Sequence, residues 1–456
     1  MTEQKLSSPI GKYRWTICAL LFVATTINYL DRQVLSLLQP YLEDIFGWTN
    51  TDYANITAVF QFAYALSMLF AGRLVDWLGT KWGYAWSIII WSVAAMIHAL
   101  AVPMGQGITT TLGVLGISAF SVSVTGFIVS RGLLAFGEAG NFPAAIKAVA
   151  EYFPKKERSL ATGIFNSGAN IGAVLAPLTI PWIYAHLGWE AAFIIVGIIG
   201  FMWLLLWLLF YEKPERQKRL SVTELAYINS DVDTLDNDNA ANEKTKLNWL
   251  TLLTYRQTWA FATGKMLTDG VFWFFLFWLP AYLKVQYNVT GEAVMLPLCA
   301  VYTLSMVGSI TGGWFPMYFI KKGYPAYTAR MRAMFVIAVF PLVILGAQPF
   351  GQITLWIPIL LIGIGAAAHQ AWSANLLTTV SDMFPKSALG SVVGIGGMMG
   401  GIGGVILSKT SGALFDHYAK LGHIETGYSI VFGFCAVAYL SAWSIMKLLV
   451  PVYKPL

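Results

Sequence analysis

The feature that most constrains this chain is a series of long apolar runs spread over its 456 residues. About twelve of them reach the ~20 residues that one helical crossing of a bilayer needs. Lipid offers no hydrogen-bond partners to the backbone, so each crossing must satisfy its own N–H and C=O groups, as a helix does. Composition agrees, because only 11% of the residues are charged, against about 25% in soluble domains. We therefore predict an all-α polytopic membrane protein with twelve spans, near residues 15–38, 54–74, 83–103, 119–149, 159–183, 189–211, 256–285, 291–319, 331–349, 351–380, 387–415 and 427–450.

The longest polar connection, residues 212–255, divides these runs into two equal sets. Near its start, Ser221 and Glu224 have the spacing of a capping box, which predicts a short helix. The acids that follow lack the glycine and terminal glutamate of a calcium-binding EF-hand loop, so we interpret them as a flexible linker. The predicted organisation is a six-helix bundle over 1–211, a cytoplasmic linker over 212–255 and a second six-helix bundle over 256–456, with a site between the bundles.

Lysine and arginine occur mainly in alternate connections, whereas the opposite set of connections holds mostly acids. By the positive-inside rule, the basic set and both termini are predicted to be cytoplasmic. The basic residues are dispersed among short loops rather than gathered in one stripe, so we expect no nucleic-acid partner despite a net charge of +6. The stretch 104–130 is compatible with a long outer loop or with an early start of the fourth helix.

Six charged residues interrupt runs that otherwise have the character of membrane spans: Asp31, Arg32, Arg131, Glu138, Lys265 and Asp269. An ionised group at the bilayer centre costs about 2.5–3.5 kcal/mol by insertion scales, so such residues face a bundle interior or a watery cavity and pair with one another. They usually mark the path of an ion or a substrate. Salt bridges with a purely structural role are the alternative. The pattern favours a transporter embedded in a lipid bilayer.

Other classes of protein have little support in the sequence. No Ser/His/Asp arrangement is evident, and the three cysteines lie in apolar runs without metal-ligand spacing. The glycine-rich stretch 394–404 lacks the lysine and Ser/Thr of a phosphate loop; its small-xxx-small spacing is typical of close helix packing. We expect no enzymatic activity, no cofactor and no metal. A polytopic membrane enzyme and a solute-sensing receptor are the alternatives, and uptake into proteoliposomes would separate them from a transporter.

The connection between the second and third runs carries glycines and charges at fixed spacing, namely Gly72, Asp76, Gly79 and Lys81. This segment resembles the cytoplasmic signature of the major facilitator superfamily. In that signature a tight glycine turn sets an acid and a base to bridge two helix ends in one conformation, and we assign these four residues to such a conformational lock. The corresponding segment of the second half has Met317 in place of the acid, so we expect a weaker lock there.

Further segments extend the resemblance over nearly the whole chain: residues 28–32, 131–143, 152–158, 168–172, 264–269 and 369–375. Within the superfamily they are similar to the bacterial anion:cation symporters, and most closely to the hexuronate and sugar-acid transporters. The resemblance implies proton-coupled uptake of a sugar acid, such as glucuronate or galacturonate, by alternating access through the bacterial inner membrane. We expect the protein to act as a monomer. A transporter or facilitator of another organic anion, such as galactonate or tartrate, is the alternative.

The resemblance implies that Asp31 and Glu138 handle the proton, that Arg32 meets the substrate carboxylate and that Arg131 pairs with Asp31. Helix geometry allows this, because Arg131 and Glu138 are seven residues apart and lie roughly 10 Å apart along one helix face. Asp31 and Arg32 are adjacent, so they point in different directions and pair poorly with each other. We therefore predict two crossed pairs between helices, Asp31 with Arg131 and Glu138 with Arg32.

Other polar and aromatic residues of the same segments are assigned to substrate binding: Tyr29, Gln61, Tyr64, Asn170, Lys265, Asp269, His369, Trp372 and Asn375. Several assignments have a structural alternative. Tyr64 could form a hydrogen bond between helices, and Trp372 could serve packing alone. Lys265 and Asp269 have the i,i+4 spacing of an ion pair within one helix. For His369, a simple hydrogen bond is favoured over a role in proton transfer.

Overall fold

The computed structural model describes residues 11–117, 120–231, 249–312, 314–384 and 386–451. Within these ranges every regular element is a helix. The α-helices are α1 (Tyr13–Phe46), α2 (Asn50–Ile97), α3 (Ala101–Val114), α4 (Val122–Glu138), α5 (Asn141–Tyr152), α6 (Lys155–Leu187), α7 (Trp189–Phe210), α8 (Val222–Ile228), α9 (Trp249–Leu252), α10 (Arg256–Tyr287), α11 (Met295–Gly312), α12 (Trp314–Lys321), α13 (Ala326–Val339), α14 (Ala347–Gly351), α15 (Trp356–Met383), α16 (Lys386–Lys420) and α17 (Ile424–Leu449). Short 3₁₀ segments lie between several of them.

The described helices confirm an all-α polytopic membrane protein. Ten of their helical stretches are long and apolar enough to cross a bilayer. One of the ten, Asn50–Val114, covers two predicted spans, which a non-helical residue, Gly79, separates. Helix α1 is not among the ten because polar and charged residues, Asp31 and Arg32 among them, lower its hydropathy. Dividing the stretch at Gly79 and adding α1 is consistent with twelve crossings.

The stretch 104–130 forms neither a long outer loop nor an early start of the fourth helix, the two alternatives that the sequence left open. Helix α3 extends the third span to Val114, and α4 begins at Val122. The fourth span is broken after Glu138, and α5 resumes at Asn141.

The predicted helix after Ser221 forms, but its capping differs from the expected box. The Ser221 hydroxyl accepts the Glu224 N–H at 3.1 Å, as a capping box requires. The Glu224 carboxylate instead accepts the backbone N–H groups of Tyr13 and Arg14, both at 3.1 Å, at the start of α1. The Glu224 side chain therefore caps the first membrane helix, while the Ser221 hydroxyl caps the linker helix itself. Of the acids predicted to form the flexible linker, Asp231 ends a short 3₁₀ segment, and the others fall within 232–248, outside the described residues.

Glycines set the close approaches between helices. A side chain at Gly168 or Gly172 of α6 would collide with the α1 backbone. In the stretch 394–404, Gly401 and Gly404 face Ala65 and Gln61 of α2. The predicted close packing at these small residues is confirmed. The contacts of Gly401 and Gly404 form a seam between α2 and α16, which joins the two halves of the chain.

Hydrogen bonds also join the halves at one end of the molecule, where α1 and α10 end and α2 begins. The Lys284 ammonium group donates to the carbonyl oxygen of Pro40 at 2.6 Å and to Asp44 at 2.8 Å. The Asp416 carboxylate accepts the backbone N–H groups of Asn50 and Thr51 at 2.9 and 2.8 Å. We call this the closed end. Its charges hold α1 and α2 of the first half against α10 and α16 of the second.

Candidate functional site

Four buried charges meet between α1 and α4. Asp31 and Arg32 lie mid-way along α1, and Arg131 and Glu138 lie on α4; each residue is at most 2% exposed. Arg32 Nε donates to Glu138 Oε2 at 2.5 Å, which makes a charge-assisted bond out of contact with water. This is one of the two crossed pairs that the sequence predicts, and it is confirmed.

The other predicted pair, Asp31 with Arg131, is wrong in this conformation. Arg131 Nη2 donates instead to the backbone carbonyl oxygen of Arg32 at 2.9 Å, and its guanidinium lies 5.0 Å from the centre of the Phe60 ring. Neither carboxylate oxygen of Asp31 has a hydrogen-bond partner, although both are buried. The Arg131 guanidinium is positioned by its bond to the Arg32 carbonyl oxygen, and its Nε and Nη1 atoms, like both oxygens of Asp31, have no hydrogen-bond partner. Asp31 therefore stands as an acid without a direct base partner.

Aromatic rings surround the Arg32 guanidinium. Its carbon lies 4.8 Å from the ring centre of Tyr29 and 4.5 Å from that of Tyr64. Phe60 and Trp273 complete the surround at 5.8 and 5.6 Å. Such a contact contributes about 0.5–1 kcal/mol at an exposed site and about 2 kcal/mol when shielded from water. The structure thus brings Tyr29 and Tyr64 to the predicted site.

Sequence reasoning missed Phe60 and Trp273. Phe60 precedes Tyr64 by one helical turn, and this spacing is a signal that could have found it. Trp273 lies on α10, so the second half of the chain contributes to the environment of an arginine on the first. Its position in a run of six aromatic residues, Phe272–Trp278 with one leucine, gave no periodicity from which to select it.

Lys265 and Asp269 form the ion pair that helical spacing allows. Lys265 Nζ and Asp269 Oδ2 are 2.5 Å apart on successive turns of α10. Their side chains are 13% and 15% exposed, against 3% for Arg32. Gly400 of α16 leaves room for the carboxylate, because a Cβ atom there would collide with Asp269. The structural alternative for Lys265 is therefore present, and the pair is also the more accessible of the buried charges.

The three residues assigned on α15 are engaged within the second half. His369 Nδ1 lies 2.9 Å from the Tyr439 hydroxyl, and the imidazole stacks on Phe272. Trp372 is fully buried with its ring edge-on to Tyr439. Asn375 donates to the carbonyl oxygens of Gly312 and Ala371, both at 2.8 Å. These contacts are those of helix packing, so for Trp372 the packing alternative is the one seen here, and substrate roles for all three stay predictions.

Gln61 and Asn170 occupy different surroundings. Gln61 Oε1 accepts the Ser408 hydroxyl at 3.2 Å across the seam between α2 and α16. Asn170 is 9% exposed on α6, between the two glycines that pack on α1. Gln61 thus joins the halves in this conformation, and the assignment of either residue to substrate stays a prediction.

The charged residues of the predicted conformational lock form two separate salt bridges instead of one. Gly79 adopts φ +76°, a left-handed value that favours glycine, and so makes the tight turn. Asp76 pairs with Lys147 of α5 at 2.8 Å, and Lys81 pairs with Glu212, after α7, at 2.7 Å. The expected bridge between the two helix ends is therefore replaced by separate bridges from each end to a neighbouring element.

The fourth residue of the predicted lock, Gly72, lies within the regular part of α2 and makes no turn. Outside the membrane-spanning segments, the Lys81 ammonium group lowers the pKa of the Glu212 carboxyl by donating a hydrogen bond to it.

Comparison with known proteins gives consistent results. The family model described as the Major Facilitator Superfamily matches residues 21–408. The chain is 29% identical to the "Hexuronate transporter" of Escherichia coli (strain K12), over 95% of this chain and 94% of that protein. It is 33% identical to the "Galacturonate transporter" of Dickeya chrysanthemi, over 68% of this chain and 83% of that protein.

Among solved structures, the chain resembles a bacterial homolog of the human lysosomal transporter Spinster. The two align with a TM-score of 0.70 at 17% identity, covering 98% of each chain. At that identity the likeness concerns the fold.

Proposed function

The chain belongs to the Major Facilitator Superfamily, and we propose that it carries a hexuronate, such as glucuronate or galacturonate, into the cell together with protons. It is a multi-pass membrane transporter and not an enzyme. The observation that carries the proposal is the buried bond between Arg32 and Glu138, with Asp31 unpartnered beside it. The names of the two relatives reported above support the choice of substrate.

Coupling follows from the electrostatics of that bond. With Glu138 ionised, its carboxylate occupies Arg32 Nε at 2.5 Å. A proton on Glu138 removes the negative charge and leaves Arg32 as an unneutralised cation in a buried site, which is costly unless another anion arrives. A sugar-acid carboxylate supplies that anion. Substrate and proton therefore favour each other's binding, as symport requires.

The geometry around Arg32 fits a sugar acid better than an inorganic anion. The rings of Tyr29, Tyr64 and Trp273 offer apolar faces on which a pyranose can stack, beside the cation that takes its carboxylate. On α10, Lys265 and Asp269 offer a donor and an acceptor to hydroxyl groups. The substrate would therefore lie between a carboxylate-binding group on the first half and a hydroxyl-binding pair on the second.

Alternating access then requires the two halves to rock about this site. We propose that they correspond to the six-helix bundles 1–211 and 256–456, joined by the linker 212–255. The positive-inside rule places both termini in the cytoplasm of a bacterial cell, so the closed end faces outward. On this orientation the structure is closed toward the outside, and the contacts of Lys284 and Asp416 must break before substrate enters from there.

Uptake into proteoliposomes tests the proposal. An inward proton gradient should drive accumulation of radiolabelled glucuronate or galacturonate, with the membrane potential clamped. Galactonate, tartrate and phosphate serve as competitors to define the substrate. Uptake that is equal with and without the gradient would exclude symport and leave a facilitator, and a protein that takes up neither labelled hexuronate would exclude the proposed substrate.

A further inference from the structure

A buried amide lies among the charges between α1 and α4. Asn28 of α1 has no exposed surface, and neither its Nδ2 nor its Oδ1 atom has a hydrogen-bond partner. It precedes Asp31 by three residues and Arg32 by four, so it shares their side of the helix. Across the interface its side chain faces the Glu138 carboxyl group, outside hydrogen-bond geometry. A polar residue at this place needs a physical explanation.

Packing alone gives a poor explanation. An amide buried without partners is unfavourable relative to a hydrophobic side chain of the same shape, such as leucine. The cost is recovered only when a neighbouring group changes so that it can bond the amide. The neighbours able to change are two acids, since Asp31 Oδ1 and Oδ2 and Glu138 Oε1 are also buried without partners.

A side-chain amide can form a hydrogen bond to each member of a pair of acids that share one proton. Its Nδ2 donates to a carboxylate, and its Oδ1 accepts from a protonated carboxyl group. Hydrophobic side chains can do neither, and a third acid would add a charge. We propose that Asn28 is a positioning residue for proton coupling, which bonds the charged acid with its Nδ2 and the protonated acid with its Oδ1. The inference rests on the proton coupling proposed above.

In the step that this arrangement supports, the one proton of the pair passes from the carboxyl group of Asp31 to the carboxylate of Glu138, so that Asp31 becomes the charged acid and Glu138 the neutral one. The amide neither gains nor loses a proton; it holds both carboxyl groups in place through the exchange. The arrival neutralises Glu138 and releases Arg32, which is the event that admits the substrate carboxylate.

The test compares two readouts on the same proteoliposomes: accumulation driven by a proton gradient, and counterflow, which needs no net proton movement. Asn28→Leu removes the amide at nearly constant shape, and Asn28→Ala is a second variant should leucine impair folding. Asn28→Ser returns a donor and an acceptor. Ser36→Ala is the matched control, because Ser36 is equally buried on α1 but its hydroxyl donates to the Gln33 carbonyl oxygen at 2.9 Å.

We expect Asn28→Leu and Asn28→Ala to lower the ratio of accumulation to counterflow about tenfold, with Asn28→Ser intermediate and Ser36→Ala unchanged. If counterflow falls in parallel with accumulation, so that the ratio is unchanged, Asn28 is structural and the inference is overturned. An unchanged ratio with full activity overturns it equally. A wild-type protein that ignores the gradient would instead overturn the proposed symport, and the inference with it.

Discussion

Substitution of Lys265 by alanine tests whether this lysine, on the second half of the chain, binds substrate or only stabilises the fold. In the structure its ammonium group is 2.5 Å from Asp269, and both side chains are partly accessible. Two roles are therefore possible for one contact. The lysine either neutralises Asp269 only, or neutralises it and also donates to the substrate.

The expected loss of affinity follows from the bond that is removed. A hydrogen bond to a charged group contributes about 1.5–3 kcal/mol. Lys265→Ala should therefore weaken hexuronate binding by about tenfold to a hundredfold. Arg32→Ala should be at least as damaging, because Arg32 is the proposed partner of the carboxylate. The single substitution also leaves Asp269 without its base, which for a fully buried pair costs about 3–5 kcal/mol and costs less at a partly accessible one.

A double substitution removes that second effect. Asp269→Asn in the Lys265→Ala background restores neutrality, so thermal stability should recover toward that of wild type. Affinity should not recover, because the donor to the substrate is still missing. Thermal stability, substrate-induced thermal stabilisation and counterflow should be measured on Lys265→Ala, Asp269→Asn and the double variant, since together they report stability and binding.

Either of two results would contradict a substrate role for Lys265. If Lys265→Ala binds hexuronate with wild-type affinity while Asp269→Asn alone destabilises the fold, the lysine is only half of a structural pair. Recovery of affinity in the double variant would lead to the same conclusion.

Three further predictions concern the closed end, the core of the second half and the topology. Asp416→Asn should weaken the closed end by about 1 kcal/mol, since a charge is lost from a helix N-terminus. A cysteine placed at Ser408 should then react about fivefold faster with a thiol reagent added from outside. Unchanged reactivity would mean that Asp416 does not hold this end shut. Trp372→Phe should lower thermal stability but leave substrate affinity within about twofold, because the indole is enclosed by packing; a tenfold loss of affinity would place it in the pocket. A cysteine at Asp236 should react only with reagents on the cytoplasmic side and one at Glu425 only from outside, and reversal of either result would overturn the proposed orientation.

The fold could be predicted because its signal is long and redundant. Runs of about 20 apolar residues permit little besides membrane helices. The bond between Arg32 and Glu138 was also predictable, because spacing along α4 and buried charge leave few other partners. In both cases the physical constraint acts on residue type and spacing alone.

Details that depend on side-chain competition could not be predicted. Nothing in the sequence says that Arg131 prefers the backbone carbonyl oxygen of Arg32 to the carboxylate of Asp31. The sequence also does not show which side of α10 faces the site, because aromatic residues occur on most of its sides. Only the packed structure shows that Trp273 lies near Arg32. Asp76 and Lys81 illustrate a third limit. Their charges were recognised, but their partners, Lys147 and Glu212, come from distant segments.

The central claim is that Asp31 and Glu138 couple protons to substrate without being needed for substrate exchange. Asp31→Asn and Glu138→Gln mimic the protonated acids, so the most direct measurement is gradient-driven accumulation beside counterflow for each variant. We predict that accumulation falls in both variants and that counterflow survives in at least one. Loss of counterflow in both, with folding intact, would contradict the claim and show that these acids bind substrate or hold the structure.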